Sequence, residues 1–173
     1  MLKHTSDLYK ENNNYVCLFS LGFKEDSINH LGFLIRDSLE KEFILVDYYK
    51  NLGITKKFSG WFIPIKLTEE RQQELVKIIQ TVIEKNKEIH IPFGFEKDYT
   101  NIFSFDYSYK QSEGLNCSLF ILSILSFLGF TFDFSSTKLD KDISWIIKEL
   151  GYFTNDMYRY PAKNVIKKLK EYK

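Results

Sequence analysis

One segment of this chain can only sit in an interior. From Leu119 to Leu128 every position is apolar except Ser123 and Ser126. That run is too long for an ordinary strand, and apolar character on all sides predicts a helix covered by other elements. Gly129 stands where such a helix stops, and Asn116-Cys117-Ser118 places a cysteine on its first turn. Unpaired backbone N–H groups and the helix dipole favour negative charge there, so the thiol ionises more easily and becomes a nucleophile. A free cysteine is equally at home as a small core residue. The surroundings of Cys117 decide between the two.

The totals narrow the setting. A chain of 173 residues suits a single domain with a substantial core, and no internal repeat, linker or low-complexity stretch divides it. The formal net charge of +1 gives no pull toward nucleic acid. Aromatic residues make up 17% of the chain, which points to a bulky core or an apolar groove. Cys17 and Cys117 are too few for a disulfide framework, and with His4, His30 and His90 they do not form a zinc motif, so no metal or cofactor is expected. No apolar core of a signal peptide follows Met1, and no stretch approaches the ~18–20 residues that span a bilayer. The expected location is the cytoplasm, with delivery by a secretion machine as the route to any work outside the cell.

Residues 1–14 are polar and read as a loose lead-in. Tyr15–Phe23 is a strand candidate with Cys17 in its apolar middle, where a core role is expected. His30–Arg36 and Glu42–Tyr49 are two further strands separated by a polar loop. If Arg36 pairs with Lys41 across a four-residue hairpin loop, antiparallel register puts His30 directly opposite Asp47, on the face that meets the cysteine helix. A slip of one residue would put the two side chains on opposite faces. Pro64, within an extended piece from Lys57 to Leu67, suggests an edge or a bend. Thr68 caps a helix whose Leu75, Ile78, Ile79, Val82 and Ile83 recur at helical spacing. Asp140 to Gly151 reads as another helix, with Ile143, Ile146, Ile147 and Leu150 on one face. Pro161 opens a short terminal helix with Val165, Ile166 and Leu169. The lysines of that last helix read as a solvated face.

A cysteine on a helix start, a histidine at a strand start and an acid on the next strand make a recognisable set. The thiol attacks, the imidazole moves the proton, and the acid orients the imidazole. His90 is the rival for the histidine or third position. Gln111 and Asn116 are candidate oxyanion donors beside the backbone N–H of Cys117.

His30-Leu31-Gly32-Phe33, Leu45-Val46-Asp47 and Asn116-Cys117-Ser118-Leu119-Phe120 occur in that order, with Ile91-Pro92-Phe93-Gly94-Phe95 ahead of the cysteine. In these stretches the chain resembles the circularly permuted branch of the papain-like NlpC/P60 superfamily, which includes the YiiX/YaeF-like and lecithin:retinol acyltransferase-like proteins. The resemblance covers roughly residues 15 to 130. It departs from the branch at Asp47, where many members carry Glu, and at Phe93, where Tyr is usual.

The resemblance implies an α+β fold with an antiparallel sheet packed against the buried cysteine-bearing helix, in permuted papain-like topology. Residues 1–173 are then one domain, with 152–173 as a C-terminal helical extension. It implies a cysteine amidase or peptidase acting through a thioester acyl-enzyme, with Cys117, His30 and Asp47 as the catalytic set. Asn116, Phe93 and Tyr15 are expected to contact substrate. The substrate would bear an amide or ester, as in a peptide, a cell-wall peptide or a lipid amide. The alternatives are a non-catalytic binding or immunity-type protein that retains the fold, and a thiol acyltransferase.

Overall fold

The computed structural model describes residues 2–10, 15–21, 30–36, 42–49, 51–94, 99–110, 114–132 and 162–171. It is an α+β fold around a six-stranded, open antiparallel sheet. The strands are β1 (Lys3–His4), β2 (Val16–Leu21), β3 (His30–Ile35), β4 (Ile44–Tyr49), β5 (Asn51–Thr55) and β6 (Trp61–Pro64), in the order β1-β6-β2-β3-β4-β5. The described helices are α1 (Glu69–Asn86), α2 (Cys117–Phe127) and α3 (Ala162–Glu171). None is long and apolar enough to cross a membrane. The helix expected between Asp140 and Gly151 lies outside the described residues.

Both faces of the central strands are buried, which explains why they read as continuous apolar runs rather than alternating ones. Val16, Leu18, Leu31, Phe33, Ile35, Val46 and Tyr48 form the main core with α1, α2 and Ala162, Val165 and Ile166 of α3. The alternate residues Cys17, Phe19, Leu34, Leu45 and Phe62 form a second core with Leu8 and Phe43. Leu8 belongs to a 3₁₀ turn, Thr5–Lys10, that follows β1. Residues 3–10 therefore form a strand, a turn and part of a core, where the polar composition of residues 1–14 suggests a loose lead-in. Leu8 of that turn is fully buried and anchors it.

Pro64 sits on a strand inside the sheet, yet the local reading of an edge holds. β1 pairs only with Trp61 and Phe62, so at Pro64 just one neighbour, β2, remains and the missing N–H has no ladder to break. β5, which sequence reading did not assign, pairs with β4 from Leu45↔Thr55 to Tyr49↔Asn51.

α1 starts at Thr68, whose hydroxyl accepts from Arg71 N. It buries the expected stripe of Leu75, Ile78, Ile79, Val82 and Ile83. Gln72 is buried with them and fully used. Its Oε1 accepts from Tyr15 N at 3.0 Å and its Nε2 donates to Leu67 O at 3.1 Å, which ties the start of β2 to α1.

α2 spans the apolar run as expected. Two of its three serines donate to the helix's own carbonyls, Ser123 to Leu119 O and Ser126 to Ser123 O, so neither brings an unpaired hydroxyl into the core. Gly129, at φ +76°, provides the left-handed residue just past the end, and Phe130 N returns to Leu125 O.

Candidate active site

The start of α2 is held by a strap from the preceding chain. Leu115 N donates to Pro92 O, Gly94 N donates to Leu115 O, and Asn116 Nδ2 donates to Gly94 O. Gly114 makes this approach possible. Its φ is +115°, and a Cβ there would lie 2.5 Å from Pro92 O. Tyr48 ties the strap to the sheet by donating its hydroxyl to Ile91 O.

Asn116 is the N-cap. Its Oδ1 accepts from Ser118 N and Leu119 N, both at 3.1 Å, while Phe120 N bonds to Asn116 O. The first-turn amide left without a partner among the described residues is that of Cys117 itself. It is available to an oxyanion at the carbon the sulfur would attack.

The β3–β4 register differs from the simple hairpin by two residues. Ile35 pairs with Ile44 and Gly32 pairs with Asp47, so the connection runs through residues 36–43. Arg36 leaves the ladder because its N–H bonds to Tyr15 O and its guanidinium lies over the rings of Tyr15 and Phe43, 5.5 and 5.0 Å from their centroids. A slip of two preserves the face, so His30 and Asp47 still point the same way. They are diagonal neighbours instead of direct ones. His30 Nε2 nonetheless donates to Asp47 Oδ2 at 2.8 Å, reaching past Gly32, which has no side chain to block the path.

The shared face is not the one expected. Leu31, Phe33 and Tyr48 pack toward α2, with Phe33 and Tyr48 against Phe120, so strict alternation directs His30 and Asp47 to the other side. They meet Cys117 at the end of the sheet. There the β3–β4 ladder stops at Gly32–Asp47, while β2–β3 continues to Leu21–His30.

At that end the structure brings Cys117, His30 and Asp47 together. Burial of the His30 ring opposes its charge, but the hydrogen bond to Asp47, the contact with Cys117 and both negative charges outweigh it. They raise His30 from 6.5 to about 9. Burial likewise pushes the Cys117 thiol up. The hydrogen bond and charge of His30, with lesser help from Leu31 N–H and the Ser118 hydroxyl, more than reverse this and hold it below its ordinary value. With Nε2 on Asp47, the ring nitrogen left for the thiol is Nδ1. The His30 and Asp47 side chains are 12% and 20% exposed, so the pair is little screened by water.

The other expected residues fall in different places. Phe93 bridges to Leu115, two residues ahead of Cys117, and lies close to the site. Asn116 has its side-chain oxygen and amide committed to cap and strap. Tyr15 lies at the far end of β2 from His30, where its hydroxyl donates to Glu69, and the structure does not bring it to the others. His90 is exposed, and the His30 nitrogen that a third member would orient is taken by Asp47. Gln111 lies outside the described residues.

Sequence reading missed Leu31 N–H and Ser118 as groups acting on the thiol. Ser118 was visible as the residue after the cysteine, but nothing in the sequence announces a backbone amide freed by the end of a ladder. Compared with known proteins, the chain matches no protein-family model, no curated protein and no solved structure.

Proposed function

We propose that the chain is a cysteine-dependent amidase or peptidase of circularly permuted papain-like type, in which Cys117, His30 and Asp47 act through a thioester acyl-enzyme. One observation carries the reading. A thiol on the first turn of a helix shares a hydrogen bond with an imidazole that a carboxylate orients at 2.8 Å, an arrangement that favours the thiolate. The order of the elements, histidine strand, acid strand, cysteine helix, agrees with the permuted arrangement.

In this reading the Cys117 sulfur adds to the substrate carbonyl carbon, and the resulting oxyanion meets the N–H of Cys117. The C–N bond breaks as the His30 imidazolium gives its proton to the leaving amine, which leaves a thioester. His30, now neutral, takes a proton from water, whose oxygen attacks the thioester. The acid departs and the thiolate–imidazolium pair is restored. Asp47 holds the ring orientation and supports the cation throughout. A reducing cytoplasm suits a protein whose two cysteines are both free.

p-Nitrophenyl acetate tests the reading. The expected result is a burst of p-nitrophenolate stoichiometric with protein, an acetyl thioester on Cys117 by mass spectrometry, loss of both in Cys117→Ala, and retention in Cys17→Ser. Absence of burst and adduct in the native chain defeats the proposal. Transfer of the acetyl group to an added amine in preference to water would move the protein to the acyltransferases.

A further inference from the structure

We propose that Gly53 is a positioning residue of this site: its lack of a side chain gives the Asp47 carboxylate the seat from which it holds His30. The consequence for catalysis rests on the reading above, whereas the geometry does not.

Asp47 is the middle of a row across three strands, with Gly32 opposite it on β3 and Gly53 opposite it on β5. Residues in such a row share a face, with Cβ atoms about 4.5–5.5 Å apart. A Cβ built on Gly53 would lie 2.6 Å from Asp47 Oδ1, and its next neighbours, Asp47 Cγ and O, are both at 3.8 Å. Only the carboxylate oxygen therefore fills the space that a side chain would take. Gly53 does not have a left-handed φ, so its backbone does not require glycine. Glycine within a strand weakens it. At Gly53 the return is room for the carboxylate.

The two oxygens of Asp47 are thus placed by different neighbours, Oδ1 over Gly53 and Oδ2 on His30 Nε2. The carboxylate is rigid and planar, so pushing Oδ1 away also moves Oδ2 off the ring. Gly32 is the less informative partner. A Cβ there would also meet Leu45 Cδ1 at 2.7 Å and Val46 O at 3.0 Å, so a substitution would disturb core and backbone together. Gly53 isolates the carboxylate, and it makes the outermost strand β5 part of the site.

A double-mutant cycle between Gly53→Ala and Asp47→Ala tests this, read by NMR titration of the His30 ring and by urea unfolding. Gly53→Ala alone is expected to lower the His30 midpoint by about one pH unit or more, a tenfold loss of proton affinity, and to reduce stability. In the Asp47→Ala background the same methyl group meets nothing closer than a backbone oxygen. It is expected there to leave the midpoint unchanged and to cost no stability. Should Gly53→Ala alone fail to fold, recovery of folding in the double variant reports the same clash. Leu52→Ala, which loosens β5 from the main core, is expected to reduce stability without moving the His30 midpoint.

A wild-type midpoint in Gly53→Ala, or equal destabilisation in both backgrounds, overturns the proposal. Failure of the hydrolase reading would look different: no acetyl burst from the native chain, with the coupling between Gly53 and Asp47 intact.

Discussion

Replacing Gly114 with Ala tests whether the strap ahead of α2 is what seats Cys117. A left-handed backbone costs a residue with a side chain about 1–2 kcal/mol. The new methyl would also lie 2.5 Å from Pro92 O, 2.8 Å from Phe93 C and 2.9 Å from Gly94 N, all backbone atoms that cannot rotate aside. Relief requires the strap to shift, and three hydrogen bonds hold it: Leu115 to Pro92, Gly94 to Leu115 and Asn116 to Gly94. Loss of two of them, at about 1 kcal/mol each, brings the total to roughly 3–4 kcal/mol. In a chain of this size that is a fall of about 10 °C in Tm. Gly129→Ala is the matched control. Gly129 also has a positive φ, +76°, but a Cβ there meets nothing within 4 Å, so only the backbone cost of about 1–2 kcal/mol applies. Thermal and urea unfolding of both variants, with Cys117 alkylation rates below the transition, is the assay. The Gly114 variant is expected to melt well below the Gly129 variant and to alkylate more slowly than the native chain. If the two melt together, or Gly114→Ala stays within about 1 kcal/mol of the native chain, the strap does not have this role.

Brief alkylation of the native protein followed by mass spectrometry is expected to label Cys117, which is partly exposed, and to spare Cys17, which is fully buried; preferential labelling of Cys17 would contradict the site. The alkylation rate against pH should reach its plateau below the ordinary thiol pKa of ~8.5, and His30→Ala should move the midpoint up by more than Asp47→Ala does. Hydrolysis should follow a bell in pH. Its acid limb is set by ionisation of Cys117, and its alkaline limb lies near 9, where the raised His30 loses the proton it must donate. Asp47→Asn removes a cause of that raised value, so the alkaline limb should move down; an unmoved limb would separate Asp47 from the chemistry. Tyr48→Phe removes the hydroxyl that donates to Ile91 O and is expected to cost about 1–3 kcal/mol by urea unfolding, since the carbonyl loses its partner in a buried setting.

Local sequence determined the elements that carry the site. The apolar run after Cys117 could be buried only as a covered helix, Thr68 and the spacing after it specified α1, and Gly129 ended α2, because caps and periodicity act over a few neighbouring residues. Side-chain alternation also made the partnership of His30 and Asp47 robust, since a register two residues away from the simple hairpin keeps them on one face. What alternation could not show was which face. That depended on α2 packing against Leu31 and Phe33, a contact between segments far apart in sequence. The two-residue offset likewise came from Arg36 turning to Tyr15 and Phe43. The buried Leu8, the placement of β6 between β1 and β2, and the space over Gly53 are also products of tertiary packing. Each depends on which strands lie side by side, and residues 1–14 or Gly53 taken alone contain no record of their neighbours. The chain's own chemistry thus specified a thiol, an imidazole and a carboxylate, and the way the ladders end at one side of the sheet decided how they meet.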